Sequence, residues 1–318
     1  MPKEVTHWLI ASRVADRLKG SPVFGASAQN PYCLKVGAVF HDLFCYKKIK
    51  NQYSVLHGVT EELHGVRGED TYRIIKVLLA MIRESKEPGH LIAFFTGVVS
   101  HIFADSIFHP MVYYHCGSDY DPRSFYKHKA LRLHRRFEAL IDIYFLKGSN
   151  SLDSYLLRDF VLKSECSVIE IMQSCLESFV CEELEPEDKV LVVQAFSSYI
   201  TKQGLLKNKF LGIILFLLER FCKFGFVKDV SSSFYIPGLE MYTSKVSGKI
   251  DYKNPVTGSS YSYKLDELFS LAVEKSVEFC LAMEPVISQK GTVSLNVLGP
   301  SLISGIQSST VDEMKFFT

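Results

Sequence analysis

Apolar residues along this chain recur mostly at helical spacing. Thr6–Leu18 places Trp8, Leu9, Val14 and Ala15 on apolar faces, with Thr6 at the N-cap position. Residues 55–85 repeat the pattern through Ile74, Ile75, Leu78, Leu79 and Ile82. His90–Phe108 is apolar almost throughout, which predicts a central buried helix stopped by Pro110. Tyr126–Phe145 follows, with Leu131, Phe137, Leu140, Ile141 and Tyr144 on its packing side. Further helices are predicted near 153–182, 187–202, 205–226 and 264–288.

Gly20–Asn30 and Ser231–Tyr263 collect Gly, Ser and Pro in turn-like groups and read as irregular. No repeat at a solenoid period is present. The fold class predicted is therefore all-α, a helical bundle with a helical C-terminal extension. The Lys-Gly-Ser-Asn-Ser-Leu-Asp stretch at 147–153 marks the boundary, giving a core over 1–148 and an extension over 149–318 packed on it. The longest apolar run, Phe210–Leu218, is far shorter than the roughly twenty residues of a bilayer span. It reads as a buried helix, or as an interfacial one flanked by Lys207, Lys209, Arg220 and Lys223. Arg13, Asp16 and Arg17 interrupt the first apolar stretch, so no secretory core is expected and a cytoplasmic setting is.

The composition of the 318 residues, 47% hydrophobic and 22% charged, excludes a disordered chain. A net charge of +1 argues against a nucleic-acid coat protein. The charge is unevenly spread: residues 1–148 carry 20 Lys and Arg against 14 Asp and Glu, and residues 149–318 carry 16 against 21. A positive front half suits an anionic substrate. The cysteines at 33, 45, 116, 166, 175, 181, 222 and 280 form no CxxC pair and read as buried reduced thiols.

Histidine changes the picture. All ten, at 7, 41, 57, 64, 90, 101, 109, 115, 128 and 134, precede residue 135. Imidazole is a preferred zinc ligand. His101, Asp105 and His109 stand at i, i+4 and i+8, which stacks three polar side chains on one stripe of an apolar helix. A carboxylate there is costly unless paired or metal-bound. Gly97, one turn earlier, lets another element approach. His134 and Glu138 repeat the i, i+4 spacing and Asp142 extends that face, although taken alone the pair reads as a surface ion pair. His115 and His128 sit in a polar stretch and read as solvated, and His90 reads as a turn residue. His57 and His64, seven apart, share a helical face and compete for one role.

Several of these pieces occur in the order of a known family. They are Thr6-His7-Trp8, Gly37-Ala-Val-Phe-His-Asp42, Leu63-His64-Gly65 with Gly68-Glu-Asp70, the block from Gly97 to Pro110, and His134-Arg-Arg-Phe-Glu138. The sequence resembles the zinc-dependent phospholipase C family, which includes the N-terminal domain of glycosylphosphatidylinositol-specific phospholipase D. The resemblance implies an all-α fold holding two or three zinc ions. Asp42, His64, His101 and Asp105 would hold one, His7 and a bridging Asp105 a second, and His109, His134 and Glu138 a third. It makes Asp42 the candidate catalytic base of a hydrolase that uses metal-activated water on a phosphoric diester. A phospholipid or other phosphodiester substrate and contact with a membrane surface follow; no protein or nucleic-acid partner is implied.

Three other readings stay open on the residues alone. His7, His41-Asp42 and Asp105 mimic the order of an HD-type phosphohydrolase, in which His41 is a ligand. Nucleases of the same helical fold need aromatic stacking, which Phe94, Phe95, Tyr113, Tyr114, Tyr120 and Tyr126 offer, the phenylalanines reading as core and the tyrosines as rim. A non-catalytic metal-stabilised module is the third.

Overall fold

The apolar stretch after Gly89 organises the architecture. In the computed structural model, which describes residues 3–45, 54–146, 152–164, 168–221, 225–236, 239–288 and 295–318, this stretch is the long helix α6 (Gly89–Cys116). A helix apolar on all sides has to be enclosed. Packed against α6 are α1 (Glu4–Arg17), α2 (Ala26–Gln29), α3 (Pro31–Gly37), α5 (Arg73–Glu84), α7 (Ser124–Phe145) and α13 (Leu265–Ser288). Length and composition would let α6 cross a bilayer, but it is the core helix, buried among these neighbours.

Between them lie α4 (Val59–His64), α8 (Leu157–Leu162), α9 (Val168–Val180), α10 (Pro186–Leu206), α11 (Lys209–Phe221) and α12 (Gly225–Ser231). α10 begins with Pro186 in its first turn followed by Glu187 and Asp188, which complement the helix dipole. Among the described residues the fold is all-α apart from one antiparallel hairpin, β1 (Ile250–Lys253) with β2 (Ser260–Tyr263), inside the stretch expected to be irregular. One hydrophobic cluster runs from Val5 through Phe179 and Tyr199 to Leu302, so the second half shares the core built on α6. Of the boundary stretch 147–153, residues 147–151 lie outside those described.

Local expectations differ from the structure at four places. The helix predicted over 55–85 is two helices, because Gly65 takes a left-handed conformation (φ 65°) and ends α4. The Gly65 and Val66 amides return to the Glu62 and Glu61 carbonyls, a Schellman closure. Pro110 does not stop α6. It deprives the Ser106 carbonyl of an amide partner, and Gly305 packs closely against that carbonyl. Thr6 lies inside the first turn of α1 rather than at its cap. The apolar run 210–218 presents an exposed helix face, which overturns the buried alternative and not the interfacial one. Among the cysteines, Cys33, Cys116, Cys175 and Cys280 are buried thiols, Cys45 and Cys181 are exposed, and Cys166 and Cys222 fall outside the described residues.

Candidate metal centre

The site starts where α3 crosses α6. Gly37 and Gly97 face each other at the crossing, and the helices come within backbone contact. A Cβ on Gly97 would lie 2.6 Å from the Ala38 nitrogen, and closer still to the Leu34 carbonyl. A Cβ on Gly37 would lie 2.9 Å from the Phe94 carbonyl carbon. This approach brings the Ala38 carbonyl to 2.9 Å from His101 Nδ1, one turn past Gly97.

That hydrogen bond sets the imidazole. With Nδ1–H donating to a carbonyl, the Nε2 lone pair faces the interior, 3.1 Å from Asp105 Oδ2. His64, the last residue of α4, repeats the device: Nδ1 donates to the Thr60 carbonyl at 2.7 Å. Its Nε2 lies 3.4 Å from Asp42 Oδ1 and 4.0 Å from Asp105 Oδ2. His109 donates through Nδ1 to the Leu302 carbonyl, 193 residues away. Three imidazoles, two on α6 and one on α4, thus turn the same nitrogen inward.

The remaining groups converge on these. His7 of α1 places Nε2 3.3 Å from Asp105 Oδ1. On α7, His134 Nε2 and Glu138 Oε1 are 2.7 Å apart, and the His134 ring lies 5.6 Å from that of His109. Three buried ligand groups result: His7, His101 and Asp105; Asp42, His64 and His101; and His109, His134 and Glu138. The structure brings together all eight residues singled out in the sequence. His101 belongs to two groups, and Asp105 stands between them.

Burial would raise the carboxyl of Asp105, but His101, His109 and His7 around it hold it well below the usual carboxylate range. Burial likewise works against Asp42, and His64 with His101 brings it below its ordinary value. Burial pushes His109 down to about 3 and His134 well below the ordinary imidazole value. Against its burial, Asp105 raises His101 above the ordinary imidazole value. Both nitrogens of His7, Nε2 of His101 and His109, and both oxygens of Asp105 are buried without a hydrogen-bond partner among the described residues. Neutral imidazole lone pairs and ionised carboxylate oxygens, fixed from behind and aimed at shared points, form a donor set that divalent cations fit.

Other expectations are settled by placement. His57 is exposed while His64 is at the site. Asp142 does not extend the ligand face: its Oδ1 accepts from the Thr6 amide (2.9 Å) and hydroxyl (2.5 Å), and its Oδ2 from the Tyr235 hydroxyl (2.6 Å). It caps α1 from another helix and so fixes the turn that carries His7. His41 is buried but falls in none of the three ligand groups. Its ring stacks on His101 at 4.5 Å, opposite His7 at 4.2 Å, so His101 is held between two parallel imidazoles. His90 starts α6, and His115 is half-buried against Phe137 rather than solvated. His128 is exposed beside Asp229. Phe94 and Phe95 are core, and Tyr113, expected at the rim, is buried edge-on against His134 at 4.9 Å. The carbonyls of Ala38, Thr60 and Leu302 escaped the sequence because a backbone acceptor has no side-chain signature.

A family model described as zinc dependent phospholipase C matches residues 6–179, a span that contains all three ligand groups. No curated protein and no solved structure matches the chain.

Proposed function

The chain belongs to the zinc-dependent phospholipase C family, and from that premise we propose that it hydrolyses phosphoric diesters, with a phospholipid as the substrate class. The observation that carries the proposal is the convergence of three buried His and carboxylate groups around Asp105. Zinc bound there supplies Lewis acidity toward phosphoryl oxygens and makes water a nucleophile near neutral pH.

The chain's own residues do the rest. Asp42, His64 and His101 with Asp105 Oδ2 would hold one ion, His7 with Asp105 Oδ1 a second, and His109, His134 and Glu138 a third. Ala38, Thr60 and Leu302 keep three imidazoles in the ligating tautomer. Asp42, held ionised by His64 and His101, takes the proton of the attacking water. The apolar wall of α6 keeps bulk water from the cluster and strengthens each charge interaction inside it. The scatter of cysteines through apolar stretches supports a cytoplasmic setting.

The test is metal analysis of the purified protein beside Asp105→Asn, with turnover of a chromogenic phosphodiester. The wild type is expected to hold zinc and turn over, and the variant to lose both. A metal-free wild type defeats the proposal.

A further inference from the structure

The outer face of α11 is the largest anomaly outside the metal centre. Its inner side is tied down: Glu219 pairs with Arg136 of α7 and accepts from Ser231 of α12 at 2.8 Å. The outer side is apolar and open. Phe210 and Phe221 are 70% and 80% exposed at the two ends, with Ile213, Ile214 and Leu217 exposed between them. Beside it, Phe226 of α12 is 76% exposed and Phe125 of α7 is 70% exposed, and both line one groove. An apolar surface this continuous marks an interaction site.

The surrounding charge is mostly positive. Residues 199–228 contain six Lys and Arg and one acid, and residues 122–137 contain six and none. The acids on this face, Glu219 and Asp229, are already bridged to Arg136 and Arg132. Lys129, one turn from Phe125 on α7, and Lys209 and Arg220 of α11 are exposed beside it. A basic rim around protruding phenylalanines complements an anionic lipid headgroup layer over acyl chains.

We propose that α11, with Phe226 and Phe125, docks this protein on an anionic phospholipid surface. The phenylalanines enter the headgroup–acyl boundary and the cations lie against the headgroups. α7 carries Phe125 of the patch at its start and His134 farther along the same helix, so docking fixes how the metal centre is oriented relative to the membrane. The proposal rests on the charge and exposure of this face and deepens the phospholipid reading of the centre.

Vesicle flotation tests it, and it reads binding without turnover. Wild-type protein is expected to float with phosphatidylcholine vesicles containing phosphatidylserine and to bind pure phosphatidylcholine vesicles about tenfold more weakly. Phe210→Ser with Phe221→Ser, and separately Lys209→Glu with Arg220→Glu, are each expected to weaken binding about tenfold or more. These side chains are exposed, and circular dichroism confirms that each variant is folded. No flotation, equal binding to both vesicle types, or a wild-type dimer that the Phe variant converts to monomer overturns the proposal. Such a failure leaves the diester assay untouched. Flotation by a protein without diester turnover defeats the hydrolase reading alone.

Discussion

The Gly37–Gly97 crossing makes the metal centre sensitive to a single methyl group. In Gly97→Ala the new Cβ would meet the Ala38 nitrogen at 2.6 Å. Ordinary non-bonded contact is about 3.5 Å and the Leu34 carbonyl lies closer still, so α3 and α6 must part by at least about 0.9 Å. Both obstacles are backbone, so no flexible side chain can yield. Such a displacement stretches the bond from His101 Nδ1 to the Ala38 carbonyl from 2.9 Å to about 3.8 Å, beyond hydrogen-bond reach. Overpacking of this kind costs up to about 3 kcal/mol, and the better helix propensity of alanine returns about 1. The net of about 2 kcal/mol lowers Tm of a 318-residue chain by roughly 3 °C. Loss of the carbonyl behind His101 weakens zinc binding about 10–100-fold. Thermal melts and competition with a chromophoric zinc chelator measure the two effects. Gly204→Ala is the control: nothing lies within 4 Å of its added Cβ, and it is expected to stabilise α10 by about 0.5–1 kcal/mol. If Gly97→Ala melts like the wild type and holds zinc as tightly, the reasoning from the helix crossing to the ligand is wrong.

Two further outcomes follow from groups around the centre. Asp142→Ala strips the acceptor from the Thr6 amide and hydroxyl and from Tyr235, and is expected to cost about 1–3 kcal/mol in urea unfolding and to weaken zinc binding through His7; Asp142→Asn, which keeps one acceptor oxygen, is expected to recover part of each, and equal losses in the two variants refute the capping role. In metal-free protein His109 is depressed to about 3, below its unfolded value near 6.5, so its share of stability is present above pH 6.5 and is lost as the pH falls toward 3. At pH 5 that share has fallen by about 2 kcal/mol, so urea midpoints at pH 7 and pH 5 are expected to differ less in His109→Gln, and identical pH slopes contradict it.

Much of this was legible in the sequence, for reasons that also mark where reading stops. His101, Asp105 and His109 were visible because helix geometry turns a four-residue spacing into a stripe, and an acid in an apolar helix needs a reason. Gly97 was legible as a point of close approach. What it approaches was not, since Gly37 and Ala38 lie some sixty residues earlier and their role is backbone contact. Pro110 misled because the local rule ends a helix at proline, whereas Gly305 from the far end of the chain packs against the freed carbonyl. Asp142 misled for the opposite reason: its spacing from His134 and Glu138 is helical, yet it turns to the start of α1. Periodicity tells which residues share a face and is silent on which distant element that face will meet. α11 shows the same limit, since an apolar run announces a helix but not whether anything covers it.

The Leu302 carbonyl that orients His109 belongs to a stretch whose Leu302 amide also bonds back to the His64 carbonyl. During synthesis the ligand side chains all leave the ribosome well before this stretch does. A nascent chain therefore carries the whole set of metal-binding groups while still lacking the strap that aims two of them. A metal site in its final geometry thus waits for the stretch around Leu302 to emerge.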